Sequence, residues 1–114
     1  MGRYITTTGT GGSVLRNVNS AVTTSFQAAV NDRILVNTAT AAVTVTLPVV
    51  SAVLDNDTLQ IIDVGGNAGT NNITVARNGA LIGGLAENLT IDLGGTITTL
   101  IYCGSTYGWV VASV

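Results

Sequence analysis

Ala42-Val43-Thr44-Val45-Thr46-Leu47, followed by Pro48, decides the fold class. Val43, Val45 and Leu47 alternate strictly with Thr44 and Thr46. Side chains of an extended chain project to opposite faces with a period of two, so one face of this segment is apolar and the other carries hydroxyls. That is a half-buried β-strand. Pro48, the only proline of the chain, ends it, because proline brings no N–H to a sheet ladder.

Working outward, the same grammar recurs. Arg33-Ile34-Leu35-Val36 is a short apolar run after the polar pair Asn31-Asp32. After the turn Asp55-Asn56-Asp57 comes a strand over residues 58–64, closed by Gly65-Gly66-Asn67. Ile73-Thr74-Val75-Ala76-Arg77 is a strand closed by Asn78-Gly79. This dipeptide is a strong hairpin signal and predicts a return strand over Ala80-Leu81-Ile82. Leu89-Thr90-Ile91-Asp92-Leu93 alternates again and stops at Gly94-Gly95. Residues 96–102 and 107–111 make the last two strands. Upstream, Val14, Val18, Val22 and Phe26 are spaced by four. The Val, Thr and Ser between them are mediocre helix formers, so the region reads as strand plus turn. At least eight short strands with glycine punctuation and no long helix predict an all-β domain, an antiparallel β-sandwich or jelly roll, over residues 14–114. Residues 1–13 include the stretch TTTGTGGS (6–13), which has no packing signal and reads as an extended, flexible N-terminal arm.

Two internal echoes stand out. Asn31-Asp32 resembles Asn56-Asp57, and Asn72-Ile73-Thr74-Val75 resembles Asn88-Leu89-Thr90-Ile91. In so restricted an alphabet they read as one strand-and-turn solution used twice rather than as a repeat array.

The chemistry-bearing residues are few. Of 114 residues, 9% are charged, against about 25% in an ordinary globular chain. There is no lysine and no histidine. The commonest general base, the commonest metal ligand, the Schiff-base amine and the phosphate-loop lysine are therefore missing. Gly9-Thr10-Gly11-Gly12-Ser13 precedes no helix and is not read as a phosphate loop. Asp55-Asn56-Asp57 has Gln60 where a calcium loop needs glycine and is read as a side-chain-supported turn. Glu87 and Asp92 form a carboxylate pair without a sugar platform nearby. No catalytic residue, cofactor site or metal site is assigned, and the chain is not expected to be an enzyme. Arg3, Arg16, Arg33 and Arg77 are scattered and outnumbered by six acids, so nucleic acid is not an expected partner. No apolar run approaches the roughly 18 residues of a membrane helix, and no secretory h-region opens the chain. The single Cys103 lies in an apolar stretch and is expected to be a buried small hydrophobe. Most of the aromatic residues, Tyr102, Tyr107 and Trp109, fall in the last two strands. They read as core, or alternatively as the platform of a small carbohydrate-binding module.

Threonine occurs 18 times, often alternating with Val, Ile or Leu. Free monomers usually guard strand faces and edges with Lys or Glu. An uncharged face packs against another subunit without stranding a charge, and this points to a homo-oligomer.

The phrases NDRILVNT (31–38), VTVTLP (43–48), DTLQIIDVGG (57–66), TNNITVARNG (70–79), LAENLTIDL (85–93) and TLIYCGSTYGW (99–109) together resemble a module of structural proteins in tailed bacteriophages, especially those infecting cyanobacteria. In that family the module occurs in fibre and baseplate-associated proteins and as small virion proteins. The resemblance implies a homotrimeric β-protein of the virion with no catalytic residues. The small size fits a capsid decoration, or cement, protein whose partners are itself and the major capsid protein. The alternative is a tail fibre or baseplate-associated subunit involved in host attachment. Arg3, Tyr4, Ile5 and Thr6 of the arm are the expected contact with the capsid lattice.

Overall fold

The fold follows from which side of each strand is apolar. The computed structural model describes residues 15–17 and 20–113, so the arm and its Arg3, Tyr4, Ile5 and Thr6 lie outside the described residues. Nine strands are described: β1 (Arg16–Asn17), β2 (Phe26–Gln27), β3 (Asp32–Val36), β4 (Val43–Thr46), β5 (Thr58–Asp63), β6 (Ile73–Ala76), β7 (Leu89–Ile91), β8 (Ile97–Tyr102) and β9 (Trp109–Ser113). A single 3-10 turn, Val50–Ala52, interrupts them. The weakly patterned region upstream of Asn31 does contain strands, β1 and β2.

The strands form two sheets, β1-β3-β5-β8-β9 and β2-β4-β6-β7. From β1 to β6 the chain alternates between them at every strand, so it winds as three stacked coils. β7 then turns back beside β6, and β8 and β9 extend the five-stranded sheet. All-β character is confirmed, but the expectation of an antiparallel sandwich is corrected. The pairs β1–β3, β2–β4, β3–β5 and β4–β6 are parallel, and only β5–β8, β6–β7 and β8–β9 are antiparallel. The physical reason is that alternation reports which face is buried and says nothing about the direction of the neighbour. Parallel partners need a crossover, usually a helix. Here the crossover of each sheet is a strand of the other one.

The coil arrangement explains the echoes. Asn31 and Asn56 both adopt left-handed backbone conformations, φ 67° and 74°. Each is followed by an aspartate that reaches back three residues. The Ala29 N–H donates to Asp32 Oδ2 at 2.9 Å, and the Leu54 N–H to Asp57 Oδ2 at 2.8 Å. Both corners open parallel strands of the five-stranded sheet, so this echo does mark successive coils. The other echo pairs antiparallel neighbours, with Ile73 opposite Ile91, Thr74 opposite Thr90 and Val75 opposite Leu89.

The expected return strand at Ala80-Leu81-Ile82 is also corrected. Asn78 and Gly79 make the anticipated tight turn, with φ 50° and 91°, and the Ala80 N–H donates to the Arg77 carbonyl at 3.1 Å. Yet β6 pairs with β7, and Ile82 makes only isolated bridges, to Leu85 and Trp109. The N–H groups of Gly83 and Gly84 donate to the carbonyls of Trp109 (2.7 Å) and Tyr107 (2.8 Å). These bonds draw the segment across to the start of β9.

Both sheets bury their inward faces in one core. Ile34, Val36, Leu59, Ile61, Leu100 and Trp109 come from the five-stranded sheet, and Val43, Val45, Ile73, Val75 and Ile91 from the four-stranded one. Each such side chain contributes about 2 kcal/mol by leaving water.

Candidate interaction surface

The residues singled out for chemistry do not converge. Asp55-Asn56-Asp57 forms the side-chain-supported turn described above. Glu87 and Asp92 are exposed on either side of β7. Among the described residues no three His, Cys, Asp or Glu side chains gather where they would hold a metal ion, and no helix there is long and apolar enough to cross a membrane.

The aromatic trio is divided. Trp109 is fully buried, and Tyr102 packs edge-on against it with ring centroids 5.4 Å apart. Tyr107 stands exposed, so the three rings do not share a surface. The core reading holds for Tyr102 and Trp109. Cys103 is a correction: expected buried, it is exposed. It follows Tyr102, whose inward side chain ends β8, and the next residue in an extended chain projects outward.

One buried acid organises a corner. Asp63 ends β5 with its carboxylate turned inward. Its Oδ1 accepts from the Thr38 hydroxyl at 2.6 Å and the Gly66 N–H at 3.1 Å. Its Oδ2 accepts from the N–H groups of Ala68 (3.1 Å) and Gly95 (2.9 Å). Burial raises the pKa of this carboxyl. The Thr38 hydroxyl and the three N–H groups outweigh burial, and hold it below its ordinary value of 3.8. Such a group binds loops together. A general acid needs the opposite shift.

An open apolar hollow of about 420 Å³ lies between β2 and the 3-10 turn, lined by Ala28, Ala29, Val30, Pro48, Val49 and Ala52, with Gln27 and Asn78 at its margin. Both marginal amides donate to the Leu47 carbonyl, at 3.1 and 2.9 Å.

The most distinctive feature is the difference between the two outer faces. On the four-stranded sheet, Thr44, Thr74 and Thr90 stand side by side on β4, β6 and β7. This is a hydroxyl ladder suited to water. On the five-stranded sheet the outward residues form three cross-strand rows. Leu35, Ile62 and Ile97 make the first. Arg33, Gln60 and Thr99 make the second. There Arg33 Nε donates to Gln60 Oε1 at 3.1 Å, and Gln60 Nε2 donates to Thr99 Oγ1 at 3.2 Å. Thr58, Ile101 and Val110 make the third. Two of the three rows are thus largely apolar, with Leu35, Ile62, Ile101 and Val110 half-buried. Ile97 is 47% exposed, and Val64, just past β5, is 50% exposed.

This face escaped the reading of alternation, although a signal was present. The runs Ile34-Leu35-Val36, Ile61-Ile62, Leu100-Ile101 and Val110-Val111 are apolar at both parities. Strands covered on both faces read this way. The threonine-alternating strands β4 and β6 drew attention to the wetter sheet.

No protein-family model matches the chain, and no curated protein matches it.

Proposed function

We propose that this chain is a structural protein of a tailed-phage virion, a repeated subunit that binds the outside of the capsid as a homotrimer and clamps neighbouring capsid proteins. One observation carries the reading: the five-stranded sheet has an outward face with two apolar rows, which suits a subunit that works by lying against other protein. The scarcity of ionic and nucleophilic side chains supports it. The mechanism is mass action. A protein that binds only the assembled shell stabilises that shell by its binding free energy. Arg3, Tyr4, Ile5 and Thr6 are the proposed lattice contact, and no catalytic step or cofactor is involved.

The experiment is binding to undecorated capsids by the whole chain and by a version lacking residues 1–12. The whole chain should saturate the shells, and the truncated chain should bind more weakly. Equal saturation would remove the arm from the mechanism. Failure of the whole chain to bind would remove the decoration role.

A tail fibre or baseplate-associated subunit is the second reading. The stacked parallel coils favour it, because coils that each contact only their neighbours suit an elongated assembly. Antibody-labelled particles imaged at low resolution would separate the two, with label on the capsid shell for the first and on the tail for the second.

A further inference from the structure

We propose that Asn78 is a self-modifying site, at which the backbone nitrogen of Gly79 closes on the side-chain amide and converts the residue to aspartate or isoaspartate. The proposal is independent of what the chain assembles on. The chemistry is intramolecular and needs only water. The Gly79 N–H gives up its proton to solvent, and the nitrogen attacks Asn78 Cγ. A C–N bond forms, the bond from Cγ to Nδ2 breaks, and Nδ2 takes up a proton and leaves as ammonia. Water then opens the cyclic imide at either carbonyl. One opening yields aspartate. The other yields isoaspartate, in which the main chain runs through the former side chain. Nothing is oxidised or reduced.

Three observations place the reaction at Asn78. The first is steric. Asn78 is the only asparagine followed by glycine, so no Cβ hinders the approach of the attacking nitrogen. The second is the attacking group. The Gly79 N–H makes no hydrogen bond among the described residues. After Asn31, Asn56 and Asn67 the next N–H is engaged, by the Ala29 carbonyl (3.2 Å), the Leu54 carbonyl (3.1 Å) and Asp63 Oδ2 (3.1 Å). The third is access. Asn78 and Gly79 are both exposed at the tip of their turn, where water reaches the imide.

The position gives the reaction a consequence. Asn78 Nδ2 donates to the Leu47 carbonyl at 2.9 Å, at the margin of the apolar hollow. A carboxylate has no proton to donate there and sets oxygen against oxygen. It also adds a negative charge to a chain whose net charge is -2, beside a hollow lined by uncharged residues. Isoaspartate further inserts a methylene into the turn closed by the Ala80 N–H and the Arg77 carbonyl.

The test incubates the full-length native protein at mildly alkaline pH and follows every asparagine by peptide mass mapping. Residue 78 should gain the mass difference between amide and acid before any other asparagine. It should pass through an intermediate lighter by ammonia and take up heavy oxygen from labelled water. An isoaspartate-specific methyl transfer should label the product at the same position. Conversion in the native protein should run within about tenfold of the rate in the denatured chain, because an exposed turn opens at little cost. These readouts use the wild-type chain and do not depend on a variant folding. Asn78→Gln, whose longer side chain closes a ring far less readily, should abolish the conversion at this position. Asn78→Asp should match the melting temperature of the aspartate form of the aged protein. Faster conversion at another asparagine overturns the proposal, as does stronger protection of residue 78 by the native fold or the same conversion rate in Asn78→Gln.

Discussion

Thr38 donates its hydroxyl to Asp63 at 2.6 Å, joining the corner after β3 to the end of β5, its parallel neighbour in the next coil. The same hydroxyl oxygen accepts the Asn67 N–H at 2.9 Å. Both side chains are buried, Thr38 completely. Through Gly95 the Asp63 carboxylate also reaches the turn that leads into β8. Two polar side chains thus bind three loops at one end of the molecule, where stacked coils have no hairpin to hold them.

Asp63→Asn should destabilise the fold by about 3 kcal/mol. An amide at this position keeps one acceptor oxygen but turns its NH2 toward N–H donors, leaving buried donors unpaired at about 1–3 kcal/mol each. Chemical denaturation near neutral pH measures it.

The wild-type protein should lose stability in acid. The folded pKa of Asp63 lies below its ordinary 3.8. The contribution of this carboxylate is therefore complete above about pH 4, and it fades as pH falls through the lowered folded value. Denaturation midpoints followed downward from about pH 5 should decline more steeply for the wild type than for Asp63→Asn.

Gly108→Ala should cost more than about 2 kcal/mol and disturb the Trp109 environment. Gly108 has φ 70°, and an added Cβ would collide with the Leu81 carbonyl. That carbonyl accepts the Trp109 N–H at 2.8 Å and cannot withdraw without breaking the bond. Trp109 is the only tryptophan, so its emission reports directly on the site.

Asn56→Ala should cost about 1 kcal/mol, and Asn56→Gly should be close to neutral. The left-handed backbone at Asn56 penalises a Cβ without a local polar partner and suits glycine. Thermal melts of the two variants give the comparison.

Cys103 should react with a thiol reagent in the native state at a rate close to that of the unfolded chain, since it is exposed. Protection by a factor of more than about a hundred would place the thiol under cover.

Much of the local structure was legible. Val43-Thr44-Val45-Thr46 became β4 with the valines inward, and Trp109 proved to be core. Asn78-Gly79 became a tight turn, but its hairpin did not form. A turn signal acts over four residues, and the pairing of β6 was settled by β7, more than ten residues away in the chain. Asp63 drew no notice because its four partners come from residues 38, 66, 68 and 95. The apolar outward rows were written in adjacent pairs such as Ile61-Ile62. They gained meaning only when the register set Leu35, Ile62 and Ile97 side by side.

Composition and the period of two were enough to establish an all-β chain poor in ionic and nucleophilic side chains, because both depend only on residue type and near neighbours. Tertiary structure alone decided that the strands wind as parallel coils, that the carboxylate of Asp63 is enclosed, and which sheet shows its apolar side to the outside. Each of these depends on distant segments meeting in one register, and alternation, which describes each strand singly, is the same whichever neighbour a strand takes.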